Sequence, residues 1–440
     1  MKSLVVAFAV GLAAAASASG EVVARGVPDG LLAVSPRGVP SVAYARGQTV
    51  FVSRRIGAGR WRAGRVTTVR RGSTLATFAS GPEGPALLVL GPNHRTLTLV
   101  HRVGRRWRTT PIVRRLGPGV ELGWPGVAFD RRGRAAVAYT RWRPKSHLSQ
   151  LVLTRLTPHV ESKNVTTNGW PASYVAPPAA PVVMPDGSIH VVETYGYLGT
   201  VGTIEWMPTR RSWIGQYLSG DQGDFPVGAM FAAVTGTKVY AAWTEATVAW
   251  DEYPVSLASH GREISSDFVS DRGLTAGLAL TARGPQVASN QWVSSAQLGL
   301  PGDGFVWAAT ISGRAGTELD GWVSGFAAGP RGSDEILLSS GSSISWYRAP
   351  SLPVRVTLAA TRQPDGSVAL TGRVRGRASG SVTLYRERPG SRTALATVKL
   401  ASGAFAVVDT APPQPALYRA VYVDPATGVP YARLLRAPVG

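Results

Sequence analysis

One residue constrains this chain more than any other: a turn glycine that returns seven times. It stands at Gly38, Gly84, Gly133, Gly187, Gly236, Gly284 and Gly332, at spacings of 46, 49, 54, 49, 48 and 48 residues. Each follows a short apolar run and precedes an alternating strand pattern, as in Val127–Arg141, VAFDRRGRAAVAYTR. A tight hairpin often needs a residue at positive φ, which glycine adopts without steric cost. A third strand follows about a dozen residues later, for example Thr49–Arg55, Thr96–Arg102, Gln150–Leu156 and Ser343–Ala349. In three repeats a fourth strand opens with tryptophan, at Trp61, Trp107 and Trp213. Four short strands in roughly 40–50 residues make one propeller blade. The spacing therefore predicts an all-β chain with a seven-bladed β-propeller over residues 21–350.

The seventh repeat lacks a fourth strand after Ser343–Ala349. Glu21–Arg25 has the pattern of Arg65–Val69, the strand that precedes the second repeat, and is expected to complete the last blade from outside. Joining first and last blades in this way removes an open sheet edge. Residues 1–20 carry a lysine, an apolar run and then small residues, and read as a secretory signal peptide. No later stretch approaches the ~18 unbroken apolar residues of a membrane span, so none is expected in the mature protein. No amphipathic helical stripe follows the leader.

Ala349–Pro353 reads as a linker. Beyond it, residues 351–440 lose the glycine marker and show seven short strands: Val354–Ala360, Ser367–Arg373, Ser381–Arg386, Leu395–Leu400, Ala404–Val408, Leu417–Val423 and Tyr431–Leu435. Seven alternating strands in about 90 residues predict a β-sandwich. Through GSVALTGRV, GAFAV and YRAVY, this part resembles the Ig- or fibronectin-like modules appended to bacterial secreted proteins.

Charge is the second signal. The formal balance is +21. Residues 21–165 hold 25 Lys/Arg against 6 Asp/Glu, residues 166–350 hold 9 against 16, and residues 351–440 hold 12 against 4. The first three repeats are thus strongly basic. Clusters such as Arg54-Arg55, Arg70-Arg71, Arg105–Arg108 and Arg114-Arg115 form a field that attracts polyanions. Two Arg-Trp-Arg triplets recur at one blade position, which favours packing over base stacking as the role of their tryptophans, and no specific nucleic-acid partner is expected.

In a propeller, the loops from second to third strands share one face with those between blades, and binding sites gather there. On that frame the second-to-third loops contribute Trp142, His147, Glu193, Tyr195, Tyr197, Trp250, Asp251, Glu252, Tyr253 and Trp292. The between-blade loops contribute Trp170, Asp221 and Asp224. Aromatic rings stack on sugars and carboxylates hold hydroxyls, so these residues are the candidate ligand-binding set. Catalytic residues cannot be assigned, because hydrolysis of a glycoside needs two carboxylates ~5–10 Å apart and no spacing here is diagnostic.

The architecture is similar to the propellers of the sialidase and BNR-repeat group. The S-x-D-x-G-x-x-W box of that group is absent, and Pro185-Asp186-Gly187-Ser188 is the nearest echo. The resemblance therefore implies fold and carries no active-site residue across. There is no Cys, the six His lack metal-ligand spacing, and neither a G-x-S-x-G elbow nor a phosphate-cradling loop is present. Neither a cofactor nor a metal is expected. The sequence leaves three readings: a secreted or cell-wall-associated binding protein for a glycan, a cell-wall polymer or a protein partner; a propeller glycosidase or lyase using carboxylates of the fourth and fifth blades; and polyanion binding through the Arg-rich blades.

Overall fold

The computed structural model describes residues 20–437 apart from segments 157–159, 167–169, 172–174, 198–199, 223–224, 247–254, 260–264, 271–273, 282–283, 295–304, 313–316 and 350–353. Of residues 1–20, expected from the sequence to be a leader, all but Gly20 lie outside the described residues. The rest is almost entirely strand; the helical elements among the described residues are three short 3-10 turns, at Pro92–His94, Pro144–Ser146 and Pro330–Gly332. No helix among the described residues is long and apolar enough to cross a membrane.

Seven antiparallel sheets follow one another, each built around four strands in sequential order. Sheet 1 comprises Leu31–Val34, Pro40–Arg46, Thr49–Gly57 and Arg60–Thr68, and sheet 2 comprises Thr74–Gly81, Gly84–Leu90, Leu97–Val103 and Arg106–Val113. Sheet 3 has Gly126–Phe129, Ala135–Arg143, Leu148–Leu156 and Val160–Asn164 as its main strands, and sheet 4 has Ala179–Val183, Ile189–Tyr197, Thr200–Pro208 and Trp213–Gln222. Sheet 5 runs from Phe225 to Ser270 and sheet 6 from Leu274 to Leu319. Sheet 7 takes Trp322–Ala328, Asp334–Ser340 and Ser343–Ala349 from its own repeat and its outer strand, Glu21–Arg25, from the other end of the chain. The first strands of consecutive sheets touch all the way round, and that of sheet 7 meets that of sheet 1. The result is a closed propeller ring.

All seven marker glycines lie at positive φ, from 58° at Gly236 to 138° at Gly84, in the turn between first and second strands. Cores form between sheets, as propeller stacking requires. Ala136, Ala138, Leu151 and Leu153 of sheet 3 meet Ala179, Ile189, Val191, Ile204 and Trp206 of sheet 4. Glycines let the inner strands approach closely. A Cβ on Gly126 would lie 2.7 Å from the Ala179 carbonyl oxygen, and one on Gly277 would lie 2.5 Å from that of Phe326. Polar side chains of second strands bridge to the next sheet. Thr244 Oγ1 lies 2.9 Å from Thr275 Oγ1, while the Asn290 amide donates to the Val323 carbonyl and accepts from the Val323 N–H, both at 2.7 Å.

The seam between sheets 7 and 1 is held by charge and rings. Glu21 accepts two hydrogen bonds from Arg55, at 2.7 and 2.8 Å, and one from Trp61 Nε1 at 3.0 Å. The Arg55 guanidinium lies 4.8 Å from the Trp346 ring centre, and Arg348 covers the same ring at 5.3 Å.

The C-terminal part is a sandwich of two sheets. One holds Ser381–Arg388, Ser391–Lys399, Leu417–Val423 and Pro430–Arg436; the other holds Arg355–Arg362, Val368–Arg375 and Ala404–Asp409. Val356, Leu370 and Phe405 pack against Val382, Leu384 and Tyr418 in its core. All seven strands expected from the sequence are present. Unforeseen is the attachment: Thr317–Leu319, the outer strand of sheet 6, pairs with Pro430–Arg436, so propeller and sandwich share one eight-stranded sheet. Asp320 reinforces the join by accepting from Arg392 at 2.9 Å.

Candidate functional site

The second strands are longer than their sequence patterns indicate, which relocates several residues expected in loops. Trp142, Glu193, Tyr195, Tyr197 and Trp292 all lie within second strands. Tyr197 pairs with Thr200, leaving two residues for the sheet 4 connection. At Trp142 and Glu193 the strands continue because neighbouring sheets bury both side chains. Asp221 lies in the fourth strand of sheet 4, and Trp170 in a two-residue strand paired with Leu148–Ser149. His147 caps a 3-10 turn at φ 51°. Asp224, Trp250, Asp251, Glu252 and Tyr253 lie outside the described residues, as do the side chains of Trp170, Tyr197, Asp221 and Trp292.

Glu193 and Trp142 are both buried, and strand alternation turns both toward the packing between sheets 3 and 4. Glu193 accepts from Trp206 Nε1 at 2.8 Å and fixes that indole. Its second oxygen has no partner among the described residues. Burial pushes its carboxyl up to about 8 against the opposing effect of the indole hydrogen bond, so it is mostly uncharged at neutral pH. Glu245, on the second strand of sheet 5, repeats the device: burial raises it to about 8, and Trp243 Nε1 donates to it at 2.5 Å. These carboxyls orient indoles. Tyr195 is half-buried, edge-on to Tyr217 with ring centres 5.3 Å apart.

The same indole brings Glu193 into relation with a groove that sequence reasoning missed. Between sheets 3 and 4, at the end where third strands turn into fourth strands, lies a groove of about 920 Å3. Antiparallel alternation puts this end opposite the second-to-third loops. Leu153, Val165, Thr166 and Trp206 are buried beneath it, and half-buried Pro208 and Trp213 form a wall. Its rim is cationic: Arg155, Lys163, Arg210 and Arg211 are exposed, against one carboxylate, Glu161.

Local structure explains the placement. Arg155 stands directly opposite Glu161, and Leu153 opposite Lys163, so these four share the face turned toward sheet 4. The Arg210-Arg211 pair rides on a hydroxyl-capped turn. Thr209 Oγ1 accepts from the N–H groups of Ser212 at 2.9 Å and Arg211 at 3.3 Å, while Thr209 N–H donates to the Ser212 carbonyl at 2.8 Å. Within ion-pair distance, none of the four rim cations meets a carboxylate among the described residues. A half-buried indole beside a cationic rim is suited to a ligand with an apolar ring face and negative charge. Trp213, recognised in the sequence as a strand opener, was the available signal, together with Arg210-Arg211 immediately before it.

Among the described residues no group of three or more His, Asp or Glu is placed to hold a metal ion. No protein-family model matches the chain, and no curated protein matches it. Solved structures do. The chain is similar to a fungal lectin of Aleuria aurantia, a six-bladed β-propeller with a fucose recognition mode, at 11% identity and TM-score 0.42, over 76% of this chain and 99% of the lectin. It is also similar to PorZ, a surface component of the type-IX secretion system of Porphyromonas gingivalis, at 12% identity and TM-score 0.41, over 93% of this chain and 59% of that one. A third likeness is to an exo-β-1,3-galactanase of Phanerochaete chrysosporium, at 8% identity and TM-score 0.39, over 95% and 99% of the two chains. At this distance no ligand or site residue passes from them to this chain.

Proposed function

We propose that the protein is a secreted, non-catalytic binding protein whose propeller takes a glycan or cell-wall polymer in the groove between sheets 3 and 4. In this reading residues 1–20 are a leader, 21–350 a seven-bladed ring and 351–440 an Ig-like module that spaces or orients it. The supporting observation is the pairing of Trp213, half-buried on the wall, with four rim cations that meet no carboxylate among the described residues. The ring would supply a stacking face, and Arg210 and Arg211 would hold carboxylate or phosphate groups by forked hydrogen bonds. Trp206, held by Glu193, would keep the floor rigid.

Hydrolysis is the less favoured reading. The described lining carries one carboxylate, Glu161, where a glycosidase needs two. Trp250, Asp251, Glu252 and Tyr253, which lie outside the described residues, remain a second proposed contact for the same ligand class.

The test is a glycan array followed by calorimetry on the best ligand, with Trp213→Ala and Arg210→Ala/Arg211→Ala. Arg210→Ala/Arg211→Ala changes exposed side chains and should melt as the parent does, whereas Trp213→Ala removes a ring packed on the core between sheets 3 and 4, so its binding is measured well below its own melting temperature. Each should weaken binding roughly 10- to 100-fold, the range of a central aromatic or arginine contact. Undiminished affinity in both variants would reject the groove as the site. Release of new reducing ends from any bound polysaccharide would reject the non-catalytic assignment.

A further inference from the structure

We infer that the ligand is a linear anionic polysaccharide long enough to occupy two consecutive grooves, crossing sheet 3 between them. The inference rests on the proposed glycan function and names the class of glycan. A second groove, of about 260 Å3, lies between sheets 2 and 3. The two share the third and fourth strands of sheet 3 as a common ridge. Leu156 and Val160 line one side, and their chain neighbours Arg155 and Glu161 line the other. Strand alternation makes this division inevitable, because successive side chains point to opposite faces. Both grooves open at the same end of the ring: the second is lined by Arg102 and Arg108, at the ends of the third and fourth strands of sheet 2 that flank their turn.

Chemistry repeats along with geometry. The second groove holds Phe129 as its ring, Thr110 and His101 as hydrogen-bonding groups 3.2 Å apart, and Arg102 and Arg108 as cations. Burial, assisted by the Arg108 charge, lowers the His101 pKa, which keeps the imidazole neutral. Arg134 also lines it but is committed to Asp130 at 2.6 Å. Arg102, Arg108, Arg155, Lys163, Arg210 and Arg211 form no ion pair among the described residues. Against these six stand Glu83 and Glu161. Arg55, Arg377 and Arg386, by contrast, are each paired with a carboxylate. Uncompensated cations strung over two grooves on one side of the ring repel one another and are relieved by a ligand bearing repeated negative charge. Adjacent packed sheets lie on the order of 10 Å apart, so one monosaccharide cannot reach both grooves.

The experiment measures binding of oligogalacturonates of one to ten residues, with glycerol-phosphate oligomers and neutral dextran oligomers alongside. A gain of about 100-fold or more is expected between the monomer and the length that spans both grooves, as two linked contacts give. The gain should appear for carboxylate or phosphate oligomers and not for dextran, and should shrink steeply with added salt. Arg102→Ser/Arg108→Ser, on the surface of sheet 2, should abolish the length gain while leaving short-oligomer affinity intact. Equal affinity at all lengths, or a length gain that survives this double variant, overturns the inference and leaves the single-groove function standing. Short-oligomer binding that ignores Trp213→Ala would instead fail the functional reading. Tighter binding of a single-stranded oligonucleotide than of either charged glycan would overturn the polysaccharide assignment.

Discussion

Removing the Glu21 carboxylate should loosen the ring at its seam. Glu21 receives three hydrogen bonds, two from one guanidinium and one from an indole, and its side chain and that of Arg55 are 18% and 24% exposed. A hydrogen bond to a charged group contributes about 1.5–3 kcal/mol when well buried, whereas an exposed ion pair contributes about 0–1 kcal/mol. Partial exposure places this clasp between the limits, at about 1–2 kcal/mol for Glu21→Ala. Part of that cost is the Trp61 N–H left without its acceptor. The assay is urea unfolding followed by tryptophan fluorescence, which reports on the seam because Trp61 and Trp346 meet edge-on with ring centres 5.8 Å apart. A double-mutant cycle with Arg55→Ala should give a coupling of about 1–2 kcal/mol. Acidity offers a second readout. Burial alone would raise the Glu21 pKa, but the hydrogen bonds from Arg55, the Gly59 backbone and Trp61, with the Arg55 charge, bring it below the ordinary value of 4.5. The stability it contributes is therefore complete above about pH 4.5 and lost as pH falls through the lower folded value. Additive single-variant costs, or a Glu21→Ala cost under about 0.5 kcal/mol, would refute the clasp.

Two further outcomes follow from the buried acids and the tight inner strands. Burial lifts Glu193 and Glu245 to about 8 in the folded protein from an ordinary 4.5, so the folded state holds protons that the unfolded chain releases. Stability should fall as pH rises from about 4.5 to 8, and Glu193→Gln/Glu245→Gln should flatten that slope; urea midpoints at four pH values that change in parallel for parent and variant would contradict the assignment. Gly126→Ala pushes a Cβ to 2.7 Å from the Ala179 oxygen and should cost about 2–3 kcal/mol, whereas Gly236→Ala meets open space at φ 58° and should cost about 1 kcal/mol. Equal costs in chemical unfolding would mean that the inner strands pack less tightly than described.

Local pattern carried most of the fold. A glycine between two alternating apolar runs is a statement about φ, and all seven such glycines have the backbone conformation that the residue type implies. Glu21–Arg25 was recognisable as the missing outer strand because the seventh repeat ran out of chain. The sites were far less legible. Glu193 reads as a solvated acid until Trp206, on the adjacent strand, supplies the hydrogen bond that makes its burial tolerable. The groove beside Trp213 depends on which faces of two neighbouring sheets confront each other, and no spacing within either repeat encodes that. The join at Glu318 and Ala432 links positions with no local signal, since the outer strand of sheet 6 is three residues long.

That join sets how the molecule can be oriented. A module hung on a peptide tether would swing freely, and whatever it touched would place no restriction on the ring. Here the last strand of the chain is stitched into the ring's own ladder, and Leu319, Val354, Tyr431 and Ala437 sit in a single apolar cluster. The module is a rigid lever arm. If its far end rests on a surface, the tilt of the propeller above that surface is already decided, and so is the direction in which its arginine-rimmed grooves look out.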